Sequence, residues 1–466
     1  MTQTRKRANA PTRQPTNSLL IRDCDVVVTM DDAGTEIAGG SILIENGAVT
    51  WIGTGKPPRP SFQSVDGRGA VAIPGLINAH HHLYQSLTRV RAQDQGLFGW
   101  LQALYPLWAG IDREWMRSSA LVGLAELALS GCSTTTDHHY VFPRGVTGIL
   151  EEEVDVAREV GLRFHPCRGS MDLGRSQGGL PPDSIVEDAE RILTETEDAI
   201  NHLHDSRPGA MLRISVAPCS PFSVSPRLMR ESATLARRHG VRLHTHIAET
   251  IDEEAYCRQK FDRRPIELLD DLGWLGRDVW LAHCVHLNGD DIRTLARTGT
   301  SVAWCPTSNL RLGSGIAPAR ELIDAGAAVG LAVDGSASND SGHMLAEVRQ
   351  AMLVIRGRAG AAAMTAREAL HIATRGSATC LGRDDIGSLE AGKRGDVALF
   401  RTGGLAFVGA ETDLVAALVF GPPQRVRDLF VEGRPVIRNE RLQNVREEDI
   451  IKEGSLRARR LLSVEA

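Results

Sequence analysis

The alternation of apolar and polar positions divides the chain into stretches of different texture. Near the start, SLLIRDCDVVVTM, GSILIENGAVTWIG and VDGRGAVAIPG are short β-type runs broken by Asn-Gly and Asp-Gly, the pattern of hairpin turns. The same texture returns late, in GDVALFRT and RVRDLFVEGRPVIRNERL. Between these ends, short apolar runs alternate with helix-like segments. The pattern predicts strands over 76–79, 133–137, 163–168, 212–217, 242–246, 279–283, 301–304 and 328–333. It predicts helices between them, including 114–130, 146–160, 184–204, 226–238 and 290–298. Eight strand–helix units in succession favour an α/β fold, a (β/α)8 TIM-type barrel, with a small β-sandwich domain formed from both termini. A doubly wound open sheet is the alternative. It wants a glycine-rich phosphate loop after the first strand, and GLINAHHH is not one. The expected divisions are a disordered tail over 1–17, the β-sandwich domain over 18–72 plus 387–445, the barrel over 73–386 and a C-terminal helix over 446–466.

Composition narrows the class. An apolar share of 42% and a charged share of 24% are those of an ordinary globular protein. A net charge of -5 without a basic run in the body argues against a nucleic-acid partner. The eight cysteines show no CxxC pairing, which fits a reducing compartment better than a disulfide framework. No apolar run is long enough to cross a bilayer. The expectation is a cytoplasmic protein with no membrane contact, and the base-rate assembly is a homodimer.

Candidate chemistry sits at the ends of the predicted strands: His80 and His82 in PGLINAHHHLYQ, His246 in LHTHIAET, His283 in LAHCVHL and Asp334 in LAVDGSASND. His80 and His82 are two residues apart, so both side chains leave the same face of an extended chain, while His81 points the other way. His244 and His246 repeat that spacing. Each element alone is weak, since an HxH is usually a polar strand end and an Asp before Gly usually caps a turn. Their coincidence at the ends of different strands, where barrel enzymes build their sites, points to one metal held by His80, His82, His246 and Asp334, with a position left for water. Imidazole and carboxylate ligands suit Zn2+ first, with Fe2+ or Mn2+ also compatible.

These residues carry a resemblance to the amidohydrolase superfamily, in its cytosine/guanine-deaminase-like branch. PGLINAHHH resembles the family's PG…HxH signature, HTHIAET its HxxE element, LAHCVHL its sixth-strand histidine segment and VDGSASND its final aspartate segment. The resemblance runs from about residue 19 to 442. It implies a metal-dependent (β/α)8 barrel, with Glu249 as the acid, Asp334 as both ligand and proton carrier, and His283 orienting the attacking water. HHHLYQSLTR, RGSMDLGRSQGGLPPDS, APCSPFSVS and CPTSNLRLGSG look most like the 8-oxoguanine deaminases of that branch, and the triazine hydrolases share much of this texture. The implied reaction is hydrolytic deamination of an aminated oxo-purine, a C–N hydrolase of cyclic amidines. The alternatives are a pterin such as isoxanthopterin, a hydroxy-s-triazine, or an inactive metal-binding scaffold.

The resemblance also suggests how such a small heterocyclic substrate is held. A glutamine at the position of Gln85 contacts the purine edge in guanine-deaminase-like enzymes, and an amide both donates and accepts. Cys219 and Ser220 follow the fourth strand and face the same end. Trp100, Tyr105 and Trp108 are candidates for a stacking wall. The insertion SMDLGRSQGGLPPDS, with Arg175, is a candidate lid.

Overall fold

The computed structural model describes residues 18–59 and 63–462. The expected disordered tail over 1–17 lies outside these residues.

Eight parallel strands form the centre: Leu76–Asn78, Cys132–His139, Arg163–Ser170, Ser215–Pro218, Leu243–Ile247, Val279–His283, Ser301–Trp304 and Val329–Leu331. Each pairs with its neighbours in chain order. The ring closes where the Ala79 amide donates to the Leu331 carbonyl at 3.1 Å. The Asn78 side chain accepts from the Val333 amide across the same seam, at 3.0 Å. Trp280 bridges the interior, stacked flat on His244 at 4.3 Å and donating its indole N–H to the Ala79 carbonyl at 3.0 Å.

The outer helices start and stop on local signals. Pro226–His239 begins with Ser225 accepting from the Leu228 amide and ends at Gly240, whose φ of 65° is left-handed. Gly289–Thr298 is capped by Asn288 and stopped by Gly299 in the same conformation. Two predicted starts fall late. The helix expected from 184 begins at Ala189, because Asp188 caps it, and Ser184 lies in a short 3-10 turn instead. The helix expected from 146 begins at Ile149, after Gly148 with φ 76°. The fourth strand starts at Ser215 rather than 212, where Leu212 makes only an isolated bridge to Phe164.

The two chain ends build one nine-stranded sheet, a small β domain beside the barrel. Its own core includes Ile21, Val27, Ile42, Val49, Val397, Leu399 and Phe430. Asn46 and Gly47, with φ of 53° and 80°, make the tight turn that the Asn-Gly pair predicts. The strand Ala70–Pro74 pairs antiparallel with Val397–Arg401 and runs directly into the first barrel strand. A buried ion pair, Arg163 to Asp396 at 3.1 Å, fastens the third barrel strand to this sheet. The helix Glu447–Leu462 follows. Among the described residues no helix is long and apolar enough to cross a membrane. All eight cysteines are free and buried.

Candidate metal centre and active site

Three imidazoles and one carboxylate converge where the barrel strands end. His80 Nε2 and His82 Nε2 each lie 3.3 Å from Asp334 Oδ1, and His82 Nε2 lies 3.1 Å from His246 Nε2. The hydrogen bonds around them fix which nitrogens are bare. A carbonyl can only accept, so His82 Nδ1–H donates to the His138 carbonyl at 2.8 Å and His246 Nδ1–H to the Cys219 carbonyl at 2.7 Å. His244 Nδ1–H likewise donates to the Trp280 carbonyl at 2.8 Å, which leaves His244 Nε2 to accept from His80 Nδ1 at 2.8 Å. All three Nε2 lone pairs therefore face one point, and His80 Nε2 has no hydrogen-bond partner. Burial keeps these rings neutral: His80 is held well below its ordinary value, and His82 and His246 are pushed down to about 4.

Burial alone would raise the Asp334 carboxyl, but the close approach of His80, then of His283 and His82, holds it well below the usual carboxylate range. Ser308 Oγ and Ser338 Oγ donate to its Oδ2 at 2.5 and 3.1 Å, and the Gly335 amide to its Oδ1 at 2.7 Å. A tetrahedral ion at about 2.0–2.1 Å from nitrogen and oxygen ligands separates them by about 3.3 Å. The spacing and the facing lone pairs of His80, His82, His246 and Asp334 fit a divalent cation.

Two further groups face this point. His283 Nδ1 lies 3.1 Å from the Asn309 amide nitrogen, which can only donate, so the hydrogen of His283 is on Nε2. That Nε2–H points toward Glu249 Oε2, 3.6 Å away. Glu249 is 5% exposed, and burial, then the charges of Asp334 and Glu253, raise its carboxyl well above the ordinary range. The site thus sets a carboxyl pushed down at the ligand cluster beside one pushed up, the divergence that separates acid from base roles. His283 and Asp334 have φ of 72° and 63°, the left-handed backbone that gathers at working sites.

A cavity opens from the cluster. Leu97, Trp100, Leu101, Tyr105, Tyr140 and Phe222 make its apolar walls, and Leu180 reaches in from the 170–184 insertion. Gln85, 1% exposed, lines the cavity and has a side-chain oxygen without a hydrogen-bond partner, packed so closely on Gly335 that any side chain there would collide with the amide. Cys219 and Ser220 line the cavity too, and burial pushes the Cys219 thiol up to about 12, so it is a neutral group. Trp100 is held by donating its indole N–H to the Ala337 carbonyl at 3.0 Å.

Not every sequence candidate meets there. Arg175 is exposed, in the 3-10 turn Arg175–Gln177, and does not line the cavity. Trp108 is wholly buried, packed edge-on against Tyr84 at 5.2 Å. His81, never a candidate ligand, turns away from the cluster as the alternation predicts and accepts from the His82 amide. Sequence reasoning passed over Tyr140, Phe222, Glu253 and His138. His138 stacks on His246 at 4.6 Å, and its signal was the alternation in DHHY at the end of the second strand.

Comparisons with known proteins agree with this geometry. Residues 71–436 match the Amidohydrolase family. The chain is 49% identical over 413 residues to an 8-oxoguanine deaminase of Pseudomonas aeruginosa, covering 86% of this chain and 92% of that one. It is 36% identical over 456 residues to an isoxanthopterin deaminase of an unknown prokaryotic organism, covering 92% and 94%. The solved structure of an atrazine chlorohydrolase from Arthrobacter aurescens TC1 complexed with zinc superposes with a TM-score of 0.91 at 34% identity, over 94% of this chain and 100% of that one. On the extent of these matches, the chain belongs to the amidohydrolase family.

Proposed function

We propose that the protein is a metal-dependent aminohydrolase that deaminates an aminated oxo-purine, with 8-oxoguanine, giving urate and ammonia, as the first substrate. One observation supports this most strongly: Glu249, whose carboxyl burial pushes up, stands buried beside a ligand cluster that opens into an aromatic-walled cavity. The amidohydrolase family is metal-dependent, and His80, His82, His246 and Asp334 would hold the ion, with zinc favoured by the donor set and by the zinc-bound relative. When bound, such an ion makes water a usable nucleophile near neutral pH.

The chain's own groups carry the proton traffic. Glu249 gives its proton to the ring nitrogen next to the carbon that bears the amine, which that carbon needs before water can add. Asp334 accepts one proton of the attacking water and passes it to the departing ammonia, and the second, on the hydroxyl of the adduct, returns to Glu249 as the carbonyl forms. His283 Nε2–H orients the attacking oxygen. Gln85 reads the lactam edge with one donor and one acceptor, and Trp100, Tyr105 and Tyr140 cover the ring faces. The cavity walls carry no cationic side chain, so a neutral base suits them better than a phosphorylated nucleotide.

Ammonia release from oxopurines, pterins and aminotriazines, tested side by side, is the deciding experiment. The highest kcat/KM is expected on 8-oxoguanine. A preference for isoxanthopterin or a hydroxy-s-triazine would replace the substrate and keep the reaction. No ammonia from any compound, with the metal bound, would leave a binding scaffold.

A further inference from the structure

The loop that carries Glu249 has an unusual support. Ala248, between the ligand His246 and the acid Glu249, has φ 52°, a conformation costly for a residue with a Cβ. In this conformation the amides of Ala248 and Glu249 point the same way and make a concave pair of donors, a backbone nest for an anion. The carboxylate of Glu253 fills it. Glu253 Oε1 accepts from the Ala248 amide at 2.7 Å and Oε2 from the Glu249 amide at 3.1 Å. Glu253 is 1% exposed, so both bonds are shielded from water.

The sequence explains why the carboxylate reaches back this far. Thr250 caps the helix Ile251–Phe261 by accepting from the Glu253 amide. In an ordinary capping box the third residue of the helix bonds the amide of the cap itself. Here Glu253 passes over Thr250 and bonds the two residues before it. The other side of the Ala248 peptide is also fixed: its carbonyl accepts from the Val285 and His286 amides at 2.8 and 2.9 Å. The loop after the fifth strand, which carries Glu249, and the loop that follows His283 after the sixth are therefore locked through one peptide whose amide end rests on Glu253.

We infer that Glu253 is a positioning residue, whose carboxylate fills the Ala248–Glu249 nest and so aims the Glu249 carboxyl at the reacting centre. The inference rests on the role given to Glu249 under Proposed function. Glu253→Ala empties the nest and leaves room for a small carboxylate. Glu253→Gln keeps the volume but sets an NH2 group against one of the two N–H donors. Both variants are expected to keep their metal and to lose roughly 10–100-fold in kcat with little change in KM, the size typical of groups that orient a working side chain.

Added formate is expected to restore part of the kcat of Glu253→Ala, and to do nothing for Glu253→Gln or the unaltered enzyme. A residue that only stabilised the helix would lower the melting temperature without a response to formate. Amide hydrogen exchange gives a reading independent of turnover: the Ala248 and Glu249 amides should exchange fast in Glu253→Ala and slow again with formate. Exchange as slow in Glu253→Ala as in the unaltered protein, or an unchanged kcat in a variant series where Glu249→Gln is inactive, overturns the inference. If Glu249→Gln is itself fully active, the role of Glu249 falls, and the exchange data still decide whether the nest is held by Glu253.

Discussion

Replacing Glu249 with Gln removes a single proton from the site and almost nothing else. The side chain is 7% exposed, and its neighbour among polar groups is His283 Nε2 at 3.6 Å, beyond hydrogen-bond distance. An isosteric amide leaves no backbone group unpaired, so the cost in stability should be below about 1 kcal/mol. Glu249 is not among the atoms that converge on the ligand point, so metal content should stay at the level of the unaltered enzyme. What is lost is the acid. General acid catalysis is worth about 10²–10⁴ in rate. At about 1.4 kcal/mol per tenfold, that is roughly 3–5.5 kcal/mol added to the barrier. Steady-state ammonia release, with metal quantified by plasma mass spectrometry on the same sample, reads both halves. Activity within a few-fold of the unaltered enzyme would refute the acid role. Loss of metal in step with activity would show that the carboxyl belongs to the ligand set instead.

Other substitutions probe the remaining parts. Asp334→Asn keeps the shape but removes the one anionic ligand, and is expected to lower bound metal well below one per chain by the same mass spectrometry. Gln85→Ala should raise KM about tenfold by removing one or two hydrogen bonds to the substrate edge, whereas Arg175→Ala, at an exposed position outside the cavity, should leave kcat/KM unchanged in the same assay. Glu347 accepts from the Thr307 amide and hydroxyl at 2.9 and 2.7 Å, and burial raises its carboxyl from 4.5 to about 7. Because the folded value is the higher one, its contribution is complete below pH 4.5 and is lost as pH rises to about 7. The melting-temperature advantage of the unaltered protein over Glu347→Gln should therefore shrink between pH 5 and 8, by an amount corresponding to at most about 3 kcal/mol, and a gap that widens would contradict the sign.

The barrel was legible because its strands are short, apolar and closed by polar residues, so the run lengths and the ligand positions come from one pattern. The HxH spacing translated directly into geometry, since period-two alternation puts His80 and His82 on one face whatever the surroundings. The cavity walls were less legible. Tyr140, Phe222 and Leu180 stand on loops, where no periodicity says which way a side chain turns. Arg175 shows the converse: the insertion does reach the cavity, but through the apolar Leu180, because an unpaired guanidinium is better solvated outside. Asp137, His139 and Glu153 were invisible as a group because they meet behind the second strand, on the face opposite His138. There His139 Nδ1 lies 2.7 Å from Glu153 Oε1, and the Leu83 amide donates to Asp137 at 2.5 Å.

The seam between the eighth strand and the first has a consequence for biosynthesis. The last member of the proposed ion-holding set, and the partner of the strand Ala70–Pro74, are encoded late, at Asp334 and at Val397–Arg401. A polypeptide emerging from the ribosome carries its first two imidazoles long before the carboxylate that belongs with them. Such widely separated contacts are slow to form. Ion uptake is therefore expected late in maturation, and a message truncated just upstream of Asp334 would yield a chain with three of the four proposed ligands and without the Val397–Arg401 partner of the strand Ala70–Pro74.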